Sequence, residues 1–256
     1  MSFLIGAIVF LLGISLGSFA SVVAYRLPLG ESIVRPGSRC PSCKKSIANK
    51  YNVPILGYIL TKGKCASCGE GISVRYLLLE VGMGLAFVAI DLRSPTYWLL
   101  PSYFVLTTGL VIISLIDIQN MTIPRKILYP VLFFGIPWLF LTGLVKNDLN
   151  AFLHCIIAGV VAFLLFAFLF MLIPKGIGFG DVRLIGVSSF YLGWLGYKDV
   201  LLSIILGIIL GGLFALFLLI TKKVSAKSKL ALGPFLSLGT FIVILYGPSI
   251  VKLWWH

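Results

Sequence analysis

Acidic residues are scarce: the 256-residue chain carries 8 Asp and Glu against 21 Lys and Arg, a formal charge of +13. Charged residues make up only 11% of it, where soluble domains run near a quarter. Histidine is scarcer still, with His154 and His256 alone and no HExxH, which removes the usual helical zinc-protease arrangement. Internal repeats are absent. So is the period-2 alternation of an outer-membrane barrel. What is abundant is apolar: 59% of the residues are hydrophobic, and the mean hydropathy is +1.08. A water-soluble fold of this length could not cover that much apolar surface, so the bilayer is the main solvent.

Residues 2–25 and 149–173 contain no charged side chain. Each reaches the roughly 20 residues needed to cross about 30 Å of hydrocarbon. Further spans are expected over 76–92, 94–116, 127–145, 184–197, 200–221 and 230–251, the short 184–197 being the least regular. The fold class is therefore an all-α membrane protein of about eight transmembrane helices. The first span lacks a basic leader and is long for a signal-peptide core, so it reads as a retained helix. Orientation follows from the basic residues. All but Arg93, Lys146, Lys198 and Lys252 fall in loops on one side, which the positive-inside rule puts in the cytoplasm. The positive charge is spread over loops as topology signals, so nucleic acid is not an expected partner. Contact with anionic lipid is.

Residues 26–75 are the one sizeable polar loop. It holds Cys40-Pro-Ser-Cys43 and Cys65-Ala-Ser-Cys68, separated by residues 44–64, close to the spacing of four-cysteine zinc sites. Two residues between cysteines let both thiolates of a knuckle reach one ion. Gly69 would permit the tight turn behind the second pair. Two disulfides are the alternative, disfavoured in a reducing compartment. With Cys40, Cys43, Cys65 and Cys68 all as ligands no open position remains, so the expected zinc is structural. Cys155, within a span, reads as packing.

Ionisable groups at membrane depth are costly and each asks for a reason. Glu31 and Glu70 belong to the polar loop. Asp91, Asp148 and Asp199 fall at outer span ends, where solvation would explain them. Glu80, Asp117 and Asp181 remain. Asp117 closes one span and Asp181 opens another, and the topology puts both at the cytoplasmic end at similar depth. Two carboxylates sharing a low-dielectric site hold one proton between them, and such a pair can deprotonate water and protonate a leaving amine. Two unrelated carboxylates capping helix ends would have the same topology. Gly13-Ile-Ser-Leu-Gly17 fits GxSxG by letter, but it lies inside a continuous apolar helix and reads as a helix-packing face, as does Gly207-xxx-Gly211.

In order along the chain, Gly17-Ser-Phe-Ala-Ser-Val-Val-Ala-Tyr-Arg-Leu-Pro28, Arg39-Cys-Pro-Ser-Cys43, Asn52-Val-Pro-Ile-Leu56, Gly63-Lys-Cys-Ala-Ser-Cys-Gly69, Ser73-Val-Arg-Tyr-Leu-Leu-Leu-Glu80, Asp117 through Ile123-Pro124, Gly178-Phe-Gly-Asp-Val-Arg-Leu184 and Gly233-Pro-Phe-Leu-Ser-Leu-Gly239 resemble the motifs of the bacterial type IV prepilin peptidases. The sequence departs from that pattern at Ser21 (usually Asn), Arg125 (usually Asp or Asn) and Arg183 (usually Lys). The resemblance implies an intramembrane aspartyl peptidase of the bacterial cytoplasmic (inner) membrane. Asp117 and Asp181 would be its catalytic pair, and it would cut the basic leader of a type IV prepilin or pseudopilin at the cytoplasmic face. It also implies N-methylation of the new N-terminus with S-adenosylmethionine, for which no binding residues can be named; Glu80 either serves that site or pairs with Arg75 or Arg26. The expected organisation is a first helix (1–25), a zinc-binding insert tied to methyl transfer (26–75) and a peptidase domain (76–256). A proton-coupled transporter using the two aspartates is the main alternative. It would favour acids at mid-membrane and an internal repeat. A scaffold docking a partner through its zinc loop would leave GxGD unexplained.

Overall fold

The computed structural model describes residues 3–173, 178–222 and 230–254. Gly176, Ile177 and the basic residues Lys175, Lys223, Lys227 and Lys229 lie outside the described residues. The chain is helical, and among the described residues six helices are long and apolar enough to cross a membrane. It divides into two compact units, residues 1–92 and 93–256.

In the first unit α1 (Phe3–Arg26) packs on α3 (Val74–Arg93) through small residues. A Cβ on Gly13 would lie 2.7 Å from Gly84 Cα, and one on Gly17 would lie 3.0 Å from Glu80 Cα. The Gly13–Gly17 pair is thus a close-approach face, and Ser15 merely donates back to the Leu11 carbonyl at 2.8 Å. Between these helices residues 27–73 form the insert, with a short helix α2 (Leu56–Leu60). Arg26, at the end of α1, is buried. Its guanidinium donates to the carbonyls of Ser32 (3.1 Å), Pro36 (2.8 Å) and Gly37 (3.0 Å), which ties the insert's first turn to the helix.

The second unit holds α4 (Leu100–Asn120), α5 (Arg125–Lys146), α6 (Leu149–Leu172), α7 (Phe179–Leu192), α8 (Tyr197–Ile220) and α9 (Gly233–Trp254). Helix α6 pairs with α7 and α8 with α9, while α4 packs against α5, α7 and α9. Glycines set the spacing. On Gly193 a Cβ would lie 2.6 Å from Cys155 Cα, and on Gly239 it would lie 2.6 Å from the Ser203 carbonyl oxygen. Gly207 faces Leu236 and Gly211 faces Phe235 of α9, so this pair is a helix-packing face as expected. Cys155 is fully buried beside Gly193, a packing residue.

The short span expected over 184–197 is a helix five residues earlier, Phe179–Leu192. Charge at Asp181 and Arg183 delays its apparent start in the sequence. Asp181 in fact stabilises the first turn, and Arg183 lays its guanidinium 4.4 Å from the Phe179 ring centroid. The helix ends at Gly193, and Gly196 takes a φ of +137° that a side chain would resist. At ~1.5 Å per residue α7 falls short of the ~30 Å hydrocarbon layer. From Val182 to Leu192 it is almost wholly buried among neighbouring helices.

The outer acids also differ from expectation. Solvation explains only Asp148, which is exposed and caps α6 by accepting from the Ala151 N–H at 3.0 Å. Asp91 and Asp199 are buried, and Asp199 lies against Gly247 of α9.

Candidate active site and metal centre

Asp117 occupies the last turn of α4 and is 5% exposed. Its carboxylate accepts a hydrogen bond from the backbone N–H of Gly233, the first residue of α9, at 3.0 Å from Oδ2. The first amides of a helix have no partner within it and carry the positive end of its dipole, so they favour a carboxylate. Gly233 must lack a side chain for this approach. A Cβ there would sit 2.7 Å from Asp117 Oδ2 and 3.3 Å from Ile123 Cδ1.

Asp181 lies in the first turn of α7 and is half-buried. Its Oδ2 accepts from the Gly178 N–H at 3.2 Å, the side-chain half of a capping box. The helix-capping reading of Asp181 is thus correct as local structure. It does not exhaust the residue, because Gly180, the neighbour of Asp181, and Gly233, whose amide holds Asp117, both lie against the side chain of Ile123. Two acids far apart in sequence are gathered at one end of the second unit, each on the amide of a helix start. Phe179 holds that start of α7 in place, with ring centroids 5.3 Å from Phe170 and 6.3 Å from Phe163 of α6.

The glycines before Asp181 were expected to permit a close approach, and Gly180 makes one to Ile123; sequence reasoning did not find Ile123 or the Gly233 amide as parts of this cluster. The one available signal was a Gly-Pro pair opening a helix and an Ile-Pro pair shortly after Asp117. Of the three departures, Ser21 donates to the Ser18 carbonyl at 2.7 Å, Arg183 stacks on Phe179, and Arg125 is exposed at the start of α5.

The four loop cysteines converge. Their sulfurs all lie within 4.8 Å of one another, and Cys40 Sγ is 3.8 Å from Cys68 Sγ. That is far too long for a disulfide, and all four are free thiols. Around a tetrahedral zinc with bonds near 2.3 Å the sulfurs would be spaced by about 3.8 Å, so this donor set fits the ion. The backbone builds two equivalent knuckles. Lys44 and Gly69 each donate to the carbonyl of the first cysteine of their pair, at 3.0 and 2.9 Å. Both take left-handed φ values, +60° and +75°. The N–H groups of Cys43 and Ser42 point at the Cys40 sulfur and bring its thiol down to about 6. Gly69 was legible as the turn glycine. Its counterpart Lys44 was not, because lysine carries no turn signal.

Glu80 is buried on α3 and accepts from the Ile55 N–H at 2.7 Å. Arg26 is committed to the three insert carbonyls, so of the alternatives weighed for Glu80 the pairing with Arg26 gives way to two separate anchors for the insert. Ile55 itself is in a γ-turn, with φ +63°, ψ −55° and the Leu56 N–H on the Pro54 carbonyl at 2.6 Å. A β-branched residue resists that conformation, and the bond from Glu80 helps hold it.

Residues 11–94 match the family model described as the bacterial peptidase A24 N-terminal domain, and residues 104–220 match the type IV leader peptidase family. Three relatives share the name prepilin leader peptidase/N-methyltransferase. The Bacillus subtilis protein is 30% identical, covering 97% of this chain and 97% of its own. That of Pseudomonas aeruginosa is 28% identical over 94% of this chain and 90% of its own. The Myxococcus xanthus protein is 36% identical over 78% of this chain and 59% of its own. No solved structure matches. With both family models in chain order, and a relative alike from end to end, the chain belongs to the type IV leader peptidase family.

Proposed function

We propose that this protein removes the leader of type IV prepilins or pseudopilins at the cytoplasmic face of the inner membrane, with Asp117 and Asp181 as the catalytic pair, and then N-methylates the new N-terminus. The observation that carries the peptidase reading is the convergence of the two acids at the starts of α7 and α9, each held by a helix-start amide and both helix starts lying against Ile123. One carboxylate, ionised, takes a proton from the attacking water. The other, protonated, gives its proton to the departing amine. The amides of Gly233 and Gly178 fix one oxygen of each acid and leave the others for water and the scissile carbonyl. In this reading α3 and α7 complete about eight crossings, and the apolar outer faces of α6 and α8 meet lipid. Nucleic acid has no part in it.

Zinc would be held by Cys40, Cys43, Cys65 and Cys68. Bound there it supplies folding energy to an insert too small to form a core. A closed four-thiolate shell leaves no position for substrate, so its role is structural. Methyl transfer is assigned to the N-terminal half, whose insert lies between α1 and α3. Glu80 is engaged by Ile55, and the described residues assemble no site of recognisable chemistry for S-adenosylmethionine, so no step is derived through it.

The test is purified protein with a prepilin in detergent, followed by substrate mass. Leader loss should vanish in Asp117→Asn and in Asp181→Asn; cleavage surviving both would refute the aspartate mechanism. A one-methyl gain on the mature N-terminus should require S-adenosylmethionine, and without that gain the protein is a peptidase only.

A further inference from the structure

The geometry points to Ile123 as a positioning residue that sets the spacing of the two aspartates. This rests on reading Asp117 and Asp181 as the catalytic pair. Ile123 sits in the turn between α4 and α5, half-buried. Its side chain meets the starts of both helices whose amides hold the acids. A Cβ on Gly180, the residue before Asp181, would lie 2.9 Å from Ile123 Cβ and 3.4 Å from its Cγ1. A Cβ on Gly233, which holds Asp117, would lie 3.3 Å from Ile123 Cδ1. Both glycines are therefore seated on one isoleucine. Its Cβ and Cγ1 face α7, while its Cδ1 lies between the two, 3.6 Å from the Gly180 position and 3.3 Å from that of Gly233.

Such a wedge works only if its own backbone is fixed, and this one is held at both ends. Met121 ends α4 in the left-handed conformation, φ 51° and ψ 41°, and its N–H donates to the Asp117 carbonyl at 2.8 Å. Pro124 follows Ile123 with φ −74° and opens α5. A residue before proline is restricted to extended backbone, and proline's own φ is locked. Ile123 is also β-branched, which limits its χ1. The segment from Asp117 to Pro124 thus has little freedom, and it carries a catalytic carboxylate at one end and the wedge at the other. Asp117 reaches Gly233 directly through its hydrogen bond and indirectly through Ile123. Asp181 is reached through Gly180. The distance between the acids is accordingly set by contacts on a single side chain and not by helix packing alone.

The two halves of the wedge can be removed in turn. Ile123→Val keeps the Cβ and Cγ1 that make the two nearer contacts to Gly180 and deletes Cδ1, the atom that meets Gly233. Ile123→Ala deletes both supports apart from Cβ. Cleavage of a prepilin by the full-length protein in detergent should show kcat falling in steps, a few-fold for Val and on the order of ten- to a hundred-fold for Ala. That is the scale expected of misplacing catalytic groups by about 1 Å. KM should stay within about two-fold in both. Retained gel-filtration profile and zinc content would show that the variants are folded. Unchanged kcat in both variants, or a rise in KM at constant kcat, would overturn the assignment. Equal losses in Val and Ala would do so as well, because they would deny the two-sided wedge. Asp117→Asn and Asp181→Asn run in parallel separate this from the underlying reading. If those retain cleavage the pair itself is wrong; if they abolish it while Ile123→Ala cleaves normally, only the wedge is wrong.

Discussion

The backbone N–H of Gly233 donates to Asp117 Oδ2 at 3.0 Å and joins the first residue of α9 to the last turn of α4. A methyl group on Gly233 would lie 2.7 Å from that oxygen, so the carboxylate and the added carbon cannot both keep their places. Gly233→Ala should therefore lower kcat for prepilin cleavage by about ten-fold or more, the scale of losing one charge-assisted hydrogen bond. The control is Gly212→Ala on α8, where an added Cβ meets nothing within 4 Å. Alanine is the better helix former by up to about 1 kcal/mol, so that variant should cleave normally. Initial rates at saturating substrate check both.

Metal analysis should return one zinc per chain. Stripping it with a strong chelator should open residues 38–72 to protease while α4–α9 stay protected, because an insert without a core depends on its metal for folding. Cys43→Ser should do the same without chelator. Peptide mapping of the digest checks which segment is cut. A metal-free protein with a protected insert would remove zinc from the account.

Some of this was legible in the sequence and some was not, for identifiable reasons. Uncharged runs marked the long helices because the bilayer demands continuous apolar surface. Asp117 and Asp181 stood out because charge near lipid is rare and costly. The cysteine spacing announced four converging thiols, and they converge. Helix α7 was displaced because a charge-based boundary treats Asp181 and Arg183 as outside the helix, whereas both lie within its first five residues, one capping and one stacked on Phe179. The Gly233 amide was invisible because a backbone donor has no residue type, and the wedge at Ile123 because an apolar side chain in a turn carries no chemical label. Buried Asp91 and Asp199 were misread for a related cause: sequence position tells depth along a helix, not which way a side chain faces.

Glu80 and Ile55 give a test of the insert's second anchor. Replacing Glu80 with Leu leaves the Ile55 N–H without its acceptor next to a strained turn. The cost is expected at about 1–3 kcal/mol, that of leaving a part-buried donor without its charged acceptor. Glu80→Gln keeps a carbonyl oxygen in reach and should recover most of it. Hydrogen exchange of peptides spanning 52–60 reads this directly. Glu80→Leu should speed exchange there by about five- to a hundred-fold, since each 1.4 kcal/mol is a factor of ten. Peptides from α6 should be unaffected.

The two knuckles make the same turn with different residues, and that asymmetry is measurable. Lys44 and Gly69 hold equivalent places after Cys40-Pro-Ser-Cys43 and Cys65-Ala-Ser-Cys68, each donating to the carbonyl of its first cysteine with φ in the left-handed range. For a residue with a side chain this conformation costs roughly 1–2 kcal/mol, and for glycine almost nothing. Part of the gain from glycine is offset by its greater freedom in the unfolded chain. Lys44→Gly should therefore strengthen zinc retention modestly, shifting the chelator concentration for half-release upward by about two- to five-fold, roughly 0.4–1 kcal/mol. Gly69→Ala moves in the opposite direction by a similar or larger factor, although open space surrounds that position and no clash is created. The sign separates backbone conformation from charge, because Lys44→Gly also removes a cation beside a thiolate cluster. If charge governed, Lys44→Gly would weaken zinc retention and Lys44→Asn, which tolerates the left-handed region, would weaken it too. If conformation governs, both variants hold zinc at least as tightly as the native chain.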